Sequence, residues 1–314
     1  MNMTYSTLGR TSLKVSRLGL GTAEIGFAYG IGERPLPSET EAIDLLKKSV
    51  DLGITFFDTA SYYGVAEERI GKSGILKNPN VIVETKCAQF LEKGERYPLP
   101  ELTQKIHAQV DESLAKLQID SLPILMLHGP SVEDIERGEL TGILKDLKQA
   151  GKIRFTGVST RGEESPLTAI NSGFFDVIQV AYNVPDQRMD PLVFPAAQKA
   201  GVGVVNRSVL LKGSLTTLRR KLPAGLEQLQ HAIDEVEAIA HEIGTDLPTL
   251  AIRFALNNSF ISSSLIGSNK IANIQKAIGA LKAGPLLPEI ATRLHKAALN
   301  TPNQVDPAQW PKLS

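Results

Sequence analysis

Three apolar stretches of the chain each end in a different ionisable residue. The first leads into Asp58, the second into Lys86 and the third into His128. Short apolar runs of this kind are typical of buried strands. Tyr63 follows shortly after Asp58, with Tyr62 beside it. If these strand ends share one face of a barrel, a carboxylate, an ammonium, an imidazole and a phenol meet in one pocket, where they could transfer protons.

The elements that would hold these groups alternate between strand and helix eight times. This alternation predicts an α/β protein with a closed parallel (β/α)8 barrel, in which polar groups at the carboxyl ends of strands are typical of catalysis. A turn at residues 8–11 predicts an N-terminal β-hairpin. No linker interrupts the chain, so we expect one domain over residues 1–314. The predicted strands are 18–22, a run ending at Asp58, 81–86, 122–128, 153–159, 177–182, 203–208 and 263–266.

The composition excludes several classes of protein. Hydrophobic residues make up 42% of the 314 residues, which is ordinary for a globular protein and too many for a disordered one. Lysine plus arginine and aspartate plus glutamate each number 34, so no basic excess favours nucleic acid or an anionic membrane. No apolar run approaches the roughly 20 residues of a membrane span. The single cysteine, Cys87, favours a reducing compartment, and we expect a cytoplasmic protein without a metal site.

Two glycine-containing segments resemble nucleotide-binding motifs without matching them. Gly19-Leu20-Gly21 begins like a dinucleotide fingerprint, but the third glycine is replaced by Glu24. Residues 66–73 mimic a phosphate-binding loop that lacks its first glycine. The acidic and basic residues of this segment favour a solvated helical turn capped by Gly71.

Each candidate taken alone has a simpler structural explanation. His128 could be a core histidine, Lys86 a strand-end lysine whose amine reaches solvent, and Asp58 a turn cap. Their joint placement at three strand ends favours a catalytic site. The spacing does not choose between Tyr62 and Tyr63 as the acid.

The chain resembles the aldo-keto reductase superfamily along nearly its whole length. The motifs that carry the resemblance lie at residues 8–16, 57–64, 67–71, 85–86, 127–130, 150–154, 157–159 and 179–183. The resemblance implies a catalytic tetrad of Asp58, Tyr63, Lys86 and His128, and thereby selects Tyr63. In that family the tyrosine donates a proton to a carbonyl oxygen. We expect Lys86 to lower the pKa of the Tyr63 phenol from about 10.

The resemblance also implies how a nicotinamide cofactor is held. Ser159 and Gln179 would bind the carboxamide, Thr160 replaces the family's asparagine, and Arg207 takes the place of the stacking aromatic residue. The implied cofactor contacts are Gly21, Thr22, Ser159, Thr160, Gln179, Arg207, Ser208, Leu210, Gly213, Gly267, Ser268, Asn269, Lys270 and Asn273. We expect NADPH to be modestly preferred and NADH accepted, since Asn273 replaces an arginine and Lys270 supplies one charge.

The resemblance implies an oxidoreductase that reduces aldehydes or ketones, or oxidises alcohols or sugars. Two alternatives stay open: a cofactor-binding regulatory protein of the same fold, and a nucleotide hydrolase that uses residues 66–73. The loops 24–35 and 90–99 and the tail after Pro285 would shape the substrate pocket. The short tail favours a small carbonyl or sugar substrate, with no nucleic-acid or membrane partner. The sequence leaves the oligomeric state open.

Overall fold

The computed structural model describes residues 3–31 and 35–311, which form a closed barrel preceded by a hairpin. The hairpin strands are β1 (Tyr5–Thr7) and β2 (Lys14–Ser16), and they pair antiparallel. The barrel strands are β3 (Leu18–Gly21), β4 (Phe56–Asp58), β5 (Ile82–Cys87), β6 (Leu122–His128), β7 (Ile153–Ser159), β8 (Val177–Ala181), β9 (Gly203–Arg207) and β10 (Ser263–Gly267). They are parallel, and β10 closes the barrel against β3. The predicted (β/α)8 fold with its N-terminal hairpin is confirmed.

Helices separate the barrel strands and cover the outside of the barrel. They are α1 (Glu39–Asp51), α2 (Ala66–Ser73), α3 (Leu99–Leu117), α4 (Val132–Glu136), α5 (Glu139–Gln149), α6 (Glu164–Asn171), α7 (Val193–Ala200), α8 (Glu227–Glu242), α9 (Leu247–Asn257), α10 (Ile271–Lys282), α11 (Pro288–Lys296) and α12 (Pro302–Val305). The proline-rich tail after Pro285 predicts one helical piece. The tail instead forms α11 and α12, each of which begins with a proline in its first turn, where the missing N–H costs nothing.

Residues 66–73 form the helix α2, and two expectations about this segment are wrong. The helix ends at Gly74, whose positive φ of 73° suits a C-terminal cap, and not at Gly71. Gly71 lies inside the helix, where a Cβ would stand 2.1 Å from the carbonyl oxygen of Lys116, so the glycine allows α2 to approach α3. Glu67 and Arg69 are buried and not solvated. A helix that buries two charged side chains against its neighbours is no phosphate loop.

The hairpin closes the amino-terminal end of the barrel. Leu8, Leu13 and Val15 pack in one buried cluster with side chains from the strand interiors, including Phe56 and Met126. A Cβ on Gly9 would stand 2.2 Å from the backbone nitrogen of Gly203, so the turn lies directly on the barrel. With this end filled, a ligand can enter only from the carboxyl ends of the strands.

Candidate active site

The carboxyl ends of three adjacent strands bring the predicted ionisable groups together. Asp58 ends β4, Lys86 lies near the end of β5, and His128 ends β6. Tyr63 follows β4 in a turn in which its backbone nitrogen donates to the carbonyl oxygen of Ala60 at 2.9 Å. The parallel register therefore places residues that are distant in sequence at one rim of the barrel.

Lys86 lies at the centre of this group. Its ammonium donates to the Asp58 carboxylate and, at 2.9 Å, to the carbonyl oxygen of Thr59. The nitrogen stands 5.0 Å from the centre of the Tyr63 ring. The His128 ring meets the Tyr63 ring edge-on, with 6.0 Å between the ring centres. Tyr62, the other candidate, is 51% exposed and faces Lys93.

The electrostatics of the site differ from the expectation in one respect. Burial raises the pKa of Tyr63 to about 12, because it outweighs the lowering effect of Lys86, and Asp58 adds to the rise. Lys86 does act to lower the pKa, as expected, but the expected net lowering is wrong because burial has the larger effect. Burial disfavours the charged form of Lys86, but the charges of Asp58, Tyr63 and Glu84 outweigh it and raise the pKa. Burial, together with Lys86 and Arg207, lowers the pKa of His128 well below its usual value, so the imidazole is neutral.

A cavity of about 660 Å³ opens above these groups. Asp58, Tyr63 and His128 line it, while Lys86 lies behind them and is 1% exposed. Ten of the other predicted residues also line it: Gly21, Ser159, Thr160, Gln179, Arg207, Ser208, Leu210, Gly213, Gly267 and Asn273. Four predicted cofactor residues do not: Thr22, Ser268, Asn269 and Lys270. Thr22 is buried, and its hydroxyl donates to the carbonyl oxygen of Asp58 at 2.9 Å.

A hydrogen-bonded network lies under the cavity floor. The amide nitrogen of Gln179 donates to Asp58 at 2.7 Å and to Glu84 at 2.8 Å. Its amide oxygen accepts from the hydroxyl of Ser159 at 2.9 Å. Glu84 is fully buried, and burial and the neighbouring Asp58 raise its pKa well above the usual value, so the protonated carboxyl is favoured. This network joins the predicted carboxamide ligands to the carboxylate that holds Lys86.

The sequence analysis missed several residues of the site. Glu84 was detectable, because it interrupts an apolar strand with a charge two residues before Lys86. Arg161, Lys212 and Lys276 line the cavity from loops or helices, where no local pattern identifies them. Phe27 and Tyr29 also line it and belong to the loop 24–35 that was expected to shape the pocket. Residues 32–34 of the expected substrate loop 24–35 lie outside the described residues.

Within residues 3–31 and 35–311, no helix is both long enough and apolar enough to cross a bilayer. The same ranges contain no cluster of three or more histidine, cysteine or acidic side chains arranged to hold a metal ion.

Comparison with known proteins gives a consistent result. A sequence model of the aldo/keto reductase family matches residues 17–298. The chain is 33% identical over 298 residues to an L-galactose dehydrogenase of Arabidopsis thaliana, with 87% of this chain and 86% of the relative covered. It is 29% identical over 305 residues to an NADH-specific methylglyoxal reductase of Escherichia coli strain K12, with 87% and 92% covered. The holo form of an aldo-keto reductase from Bacillus halodurans superposes with a TM-score of 0.78 at 26% identity, with 96% and 98% covered. With a family match over most of its length and an eight-stranded barrel that unites the ionisable strand ends, the chain belongs to the aldo/keto reductase family of oxidoreductases.

Proposed function

We propose that the protein reduces aldehydes or ketones with NADPH or NADH, or oxidises the corresponding alcohols, with Tyr63 as the general acid. The observation that carries this proposal is the contact of Lys86 with both Asp58 and the Tyr63 ring at the floor of a cavity. A carbonyl bound there would lie against one phenol and one neutral imidazole. These are the two groups that can donate a hydrogen bond to its oxygen.

The proposed proton transfer follows from the charge states of the site. With a pKa of about 12, Tyr63 keeps its proton at neutral pH and is ready to donate it when negative charge develops on the carbonyl oxygen. Lys86 then stabilises the phenolate that remains, while Asp58 keeps Lys86 charged. The Nδ1 atom of His128 is buried and has no hydrogen-bond partner among the described residues. Because an unpaired buried N–H is rarer than an unpaired acceptor, we assign the proton to Nε2, which can orient the carbonyl.

The part of the cavity wall formed by Ser159, Thr160 and Gln179 has free hydrogen-bonding atoms suited to a nicotinamide carboxamide. The hydroxyl of Thr160 is buried in the wall of the cavity and has no partner among the described residues. It can donate to the carboxamide oxygen, as the family's asparagine does. Both amide hydrogens of Gln179 are already used, which leaves its oxygen and that of Ser159 to accept from the carboxamide nitrogen. A nicotinamide held by these three residues would supply or take up the hydride.

The far end of the cavity bears on the choice between NADPH and NADH. Asn273 lines it and donates to the hydroxyl of Ser268 at 3.1 Å. Lys276, one turn further along α10, also lines it and pairs with Asp246. We therefore propose that Lys276 supplies the charge for a 2′-phosphate and that NADPH is modestly preferred. We further propose that the substrate is a small carbonyl compound or sugar and that the chain forms one catalytic domain. We also propose a cytoplasmic location, which the single free, buried cysteine supports.

The test compares two neighbouring tyrosines. Tyr63→Phe should lose carbonyl reduction by about 10²- to 10⁴-fold, the usual contribution of a general acid, while its affinity for NADPH changes little. Tyr62→Phe is the matched control and should keep most of the activity. The assay follows oxidation of NADPH and of NADH with a panel of aldehydes and sugars. A Tyr63→Phe variant that retains a substantial fraction of kcat contradicts the assignment. A protein that binds cofactor tightly but turns over no carbonyl would instead be a regulatory member of the family.

A further inference from the structure

Some charged side chains around the cavity form ion pairs, and others have no oppositely charged partner nearby. Asp58 is paired with Lys86, Glu92 with Arg161, and Lys276 with Asp246. Among the described residues, Arg207 and Lys212 line the cavity as cations that have no carboxylate within 4.0 Å. Unpaired charge held away from water is costly, so the Arg207 position, where burial lowers the pKa, favours an anionic ligand. Lys212 is half-buried at the cavity wall, where its charge would attract an anion.

Arg207 lies at the catalytic end of the cavity. It lines the cavity together with Tyr29, Tyr63 and His128, and its positive charge acts to lower the pKa of each of these groups. One terminal nitrogen donates to the carbonyl oxygen of Thr160 at 2.9 Å and the other to the hydroxyl of Ser208 at 3.2 Å. These two bonds fix the side chain and use two of the five N–H groups of a guanidinium.

We propose that Arg207 binds an anionic group of the substrate, so that the preferred substrates are carbonyl compounds that carry a carboxylate or a phosphate. This inference rests on the proposed function of the site. The planar guanidinium suits the role, because its edge can bind a carboxylate through two parallel hydrogen bonds while its face remains free to stack on a flat ring. Burial and the nearby Arg161 lower the pKa of Arg207, Asp306 acts in the opposite direction, and a bound anion would further favour the charged guanidinium.

The pyrophosphate of the cofactor is a second anion that Arg207 could bind. Lys212 is better placed than Arg207 to bind this pyrophosphate. Lys212 belongs to the segment between Ser208 and Gly213, which carries three of the cofactor contacts that the resemblance implies. A pyrophosphate bound along this segment would lie beside Lys212. Residues 211 to 213 of this segment have positive φ angles of 44°, 57° and 101°, so a tight turn presents this lysine to the cavity. Each of the two unpaired cations thus has its own anion, with Arg207 beside the reacting groups and Lys212 further along.

The experiment compares two aldehydes that differ in charge and by one methyl group. The probes are 4-carboxybenzaldehyde and its methyl ester, assayed with the unmodified protein, with Arg207→Met and with Lys212→Met. A charge-assisted hydrogen bond discriminates by about ten- to a hundredfold. We therefore expect kcat/KM of the unmodified protein to favour the carboxylate by at least about tenfold, and Arg207→Met to abolish this ratio mainly through KM. Lys212→Met should raise the KM for NADPH and leave the ratio between the aldehydes unchanged.

Two results would overturn the inference. One is a ratio near one in the unmodified protein; the other is an Arg207→Met variant that weakens NADPH binding and affects both aldehydes equally. A second measurement does not depend on turnover. Isothermal titration of 4-(hydroxymethyl)benzoate into the cofactor-loaded protein should show binding that Arg207→Met removes. If neither aldehyde is reduced, the proposed function fails, and this titration still decides the inference, since absent binding rejects it.

Discussion

At the scale of single residues, the protonation state of the Tyr63 phenol sets the pH dependence expected of the proposed reaction. Its neighbours act in opposite directions: Lys86 favours the phenolate, while burial and Asp58 favour the phenol. Burial dominates, because the compensated Lys86–Asp58 pair presents little net charge to the ring. The resting site therefore holds a proton ready for a carbonyl oxygen.

The pH dependence of the two reaction directions follows from this charge state. Reduction needs the phenol, so its Tyr63-dependent rate should stay level through neutral pH and fall only as the pH approaches about 12. Oxidation of an alcohol needs the phenolate, whose fraction rises about tenfold per pH unit below the pKa. We expect oxidation to increase with pH over the range where reduction is level. Steady-state kcat/KM measured against pH in both directions checks this. The prediction is contradicted if the rate of reduction falls near neutral pH in the unmodified protein and this fall is absent in Tyr63→Phe.

Glu84 provides a second prediction at this scale. Because its folded pKa is raised, the folded protein binds this proton more tightly than the unfolded chain, and the contribution to stability is lost as the pH rises above the unfolded value of about 4.3. Glu84→Gln is a neutral, equally large substitute that can accept from Gln179 and donate to Asp58. It should be at least as stable as the unmodified protein at pH 8, whereas Glu84→Ala should be less stable because it leaves Gln179 with an unpaired N–H. Urea unfolding at several pH values measures this, and a Glu84→Gln variant that loses stability at pH 8 would show that the carboxyl is needed.

At the scale of elements, the parallel register places every strand end at the same rim. Asp58 pairs with Glu84, Lys86 with Met126, and His128 with Ser159 across neighbouring strands. Beyond the strands, the α10 region decides which cation faces the cavity. Lys270 precedes α10 and does not line the cavity, while Lys276 lies on the helix and lines it; both side chains are exposed.

The role in NADPH binding that was expected of Lys270 is untested, and we propose Lys276 for it because Lys276 lines the cavity. Lys276→Met should weaken NADPH binding by about fivefold or more while NADH binding changes little, since a charged contact to phosphate contributes roughly 1 kcal/mol or more. Lys270→Met is the matched control and should affect the two cofactors alike. Fluorescence titration of both cofactors measures the four constants. If Lys270→Met alone discriminates between them, the assignment made from the cavity is wrong.

At the scale of the whole molecule, the hairpin and the cavity occupy opposite ends of one barrel. Leu8 is completely buried at the amino-terminal end, and Arg10 anchors the hairpin through its bond to Asp176 at 3.0 Å. The reacting groups lie at the other end, so the hairpin supports the barrel without touching the site.

Removing the Leu8 side chain should therefore lower stability and spare catalysis. We expect Leu8→Ala to reduce the free energy of unfolding by about 2–5 kcal/mol, the usual cost of a large-to-small change in a core. Leu192→Ala is the control, because Leu192 is 62% exposed and should change stability by less than about 0.5 kcal/mol. Denaturant unfolding measures both variants, and kcat/KM of the remaining folded protein should be unchanged. If Leu8→Ala is as stable as the control, the hairpin does not stabilise the barrel by burying Leu8 at its amino-terminal end.

The sequence by itself determined the barrel, the hairpin and the grouping of Asp58, Tyr63, Lys86 and His128. These features depend on local signals that are visible in the order of residues. The signals are the periodicity of strands and helices and the polar residues at strand ends. The order of family motifs then selected Tyr63 over Tyr62.

Only the tertiary structure decided the balance of forces inside the site. The pKa of Tyr63 depends on how deeply the phenol is buried relative to a compensated ion pair, which no spacing encodes. The contacts of Glu84 with Asp58 and Gln179 join three separate strands, and Lys276 reaches the cavity through the orientation of a helix. Glu67 and Arg69 were expected to be solvated but are buried. Their burial also depends on the tertiary structure, because it is set by which face of α2 packs against the rest of the molecule. Burial and pairing are properties of the assembled fold, so they could not be predicted from the order of residues alone.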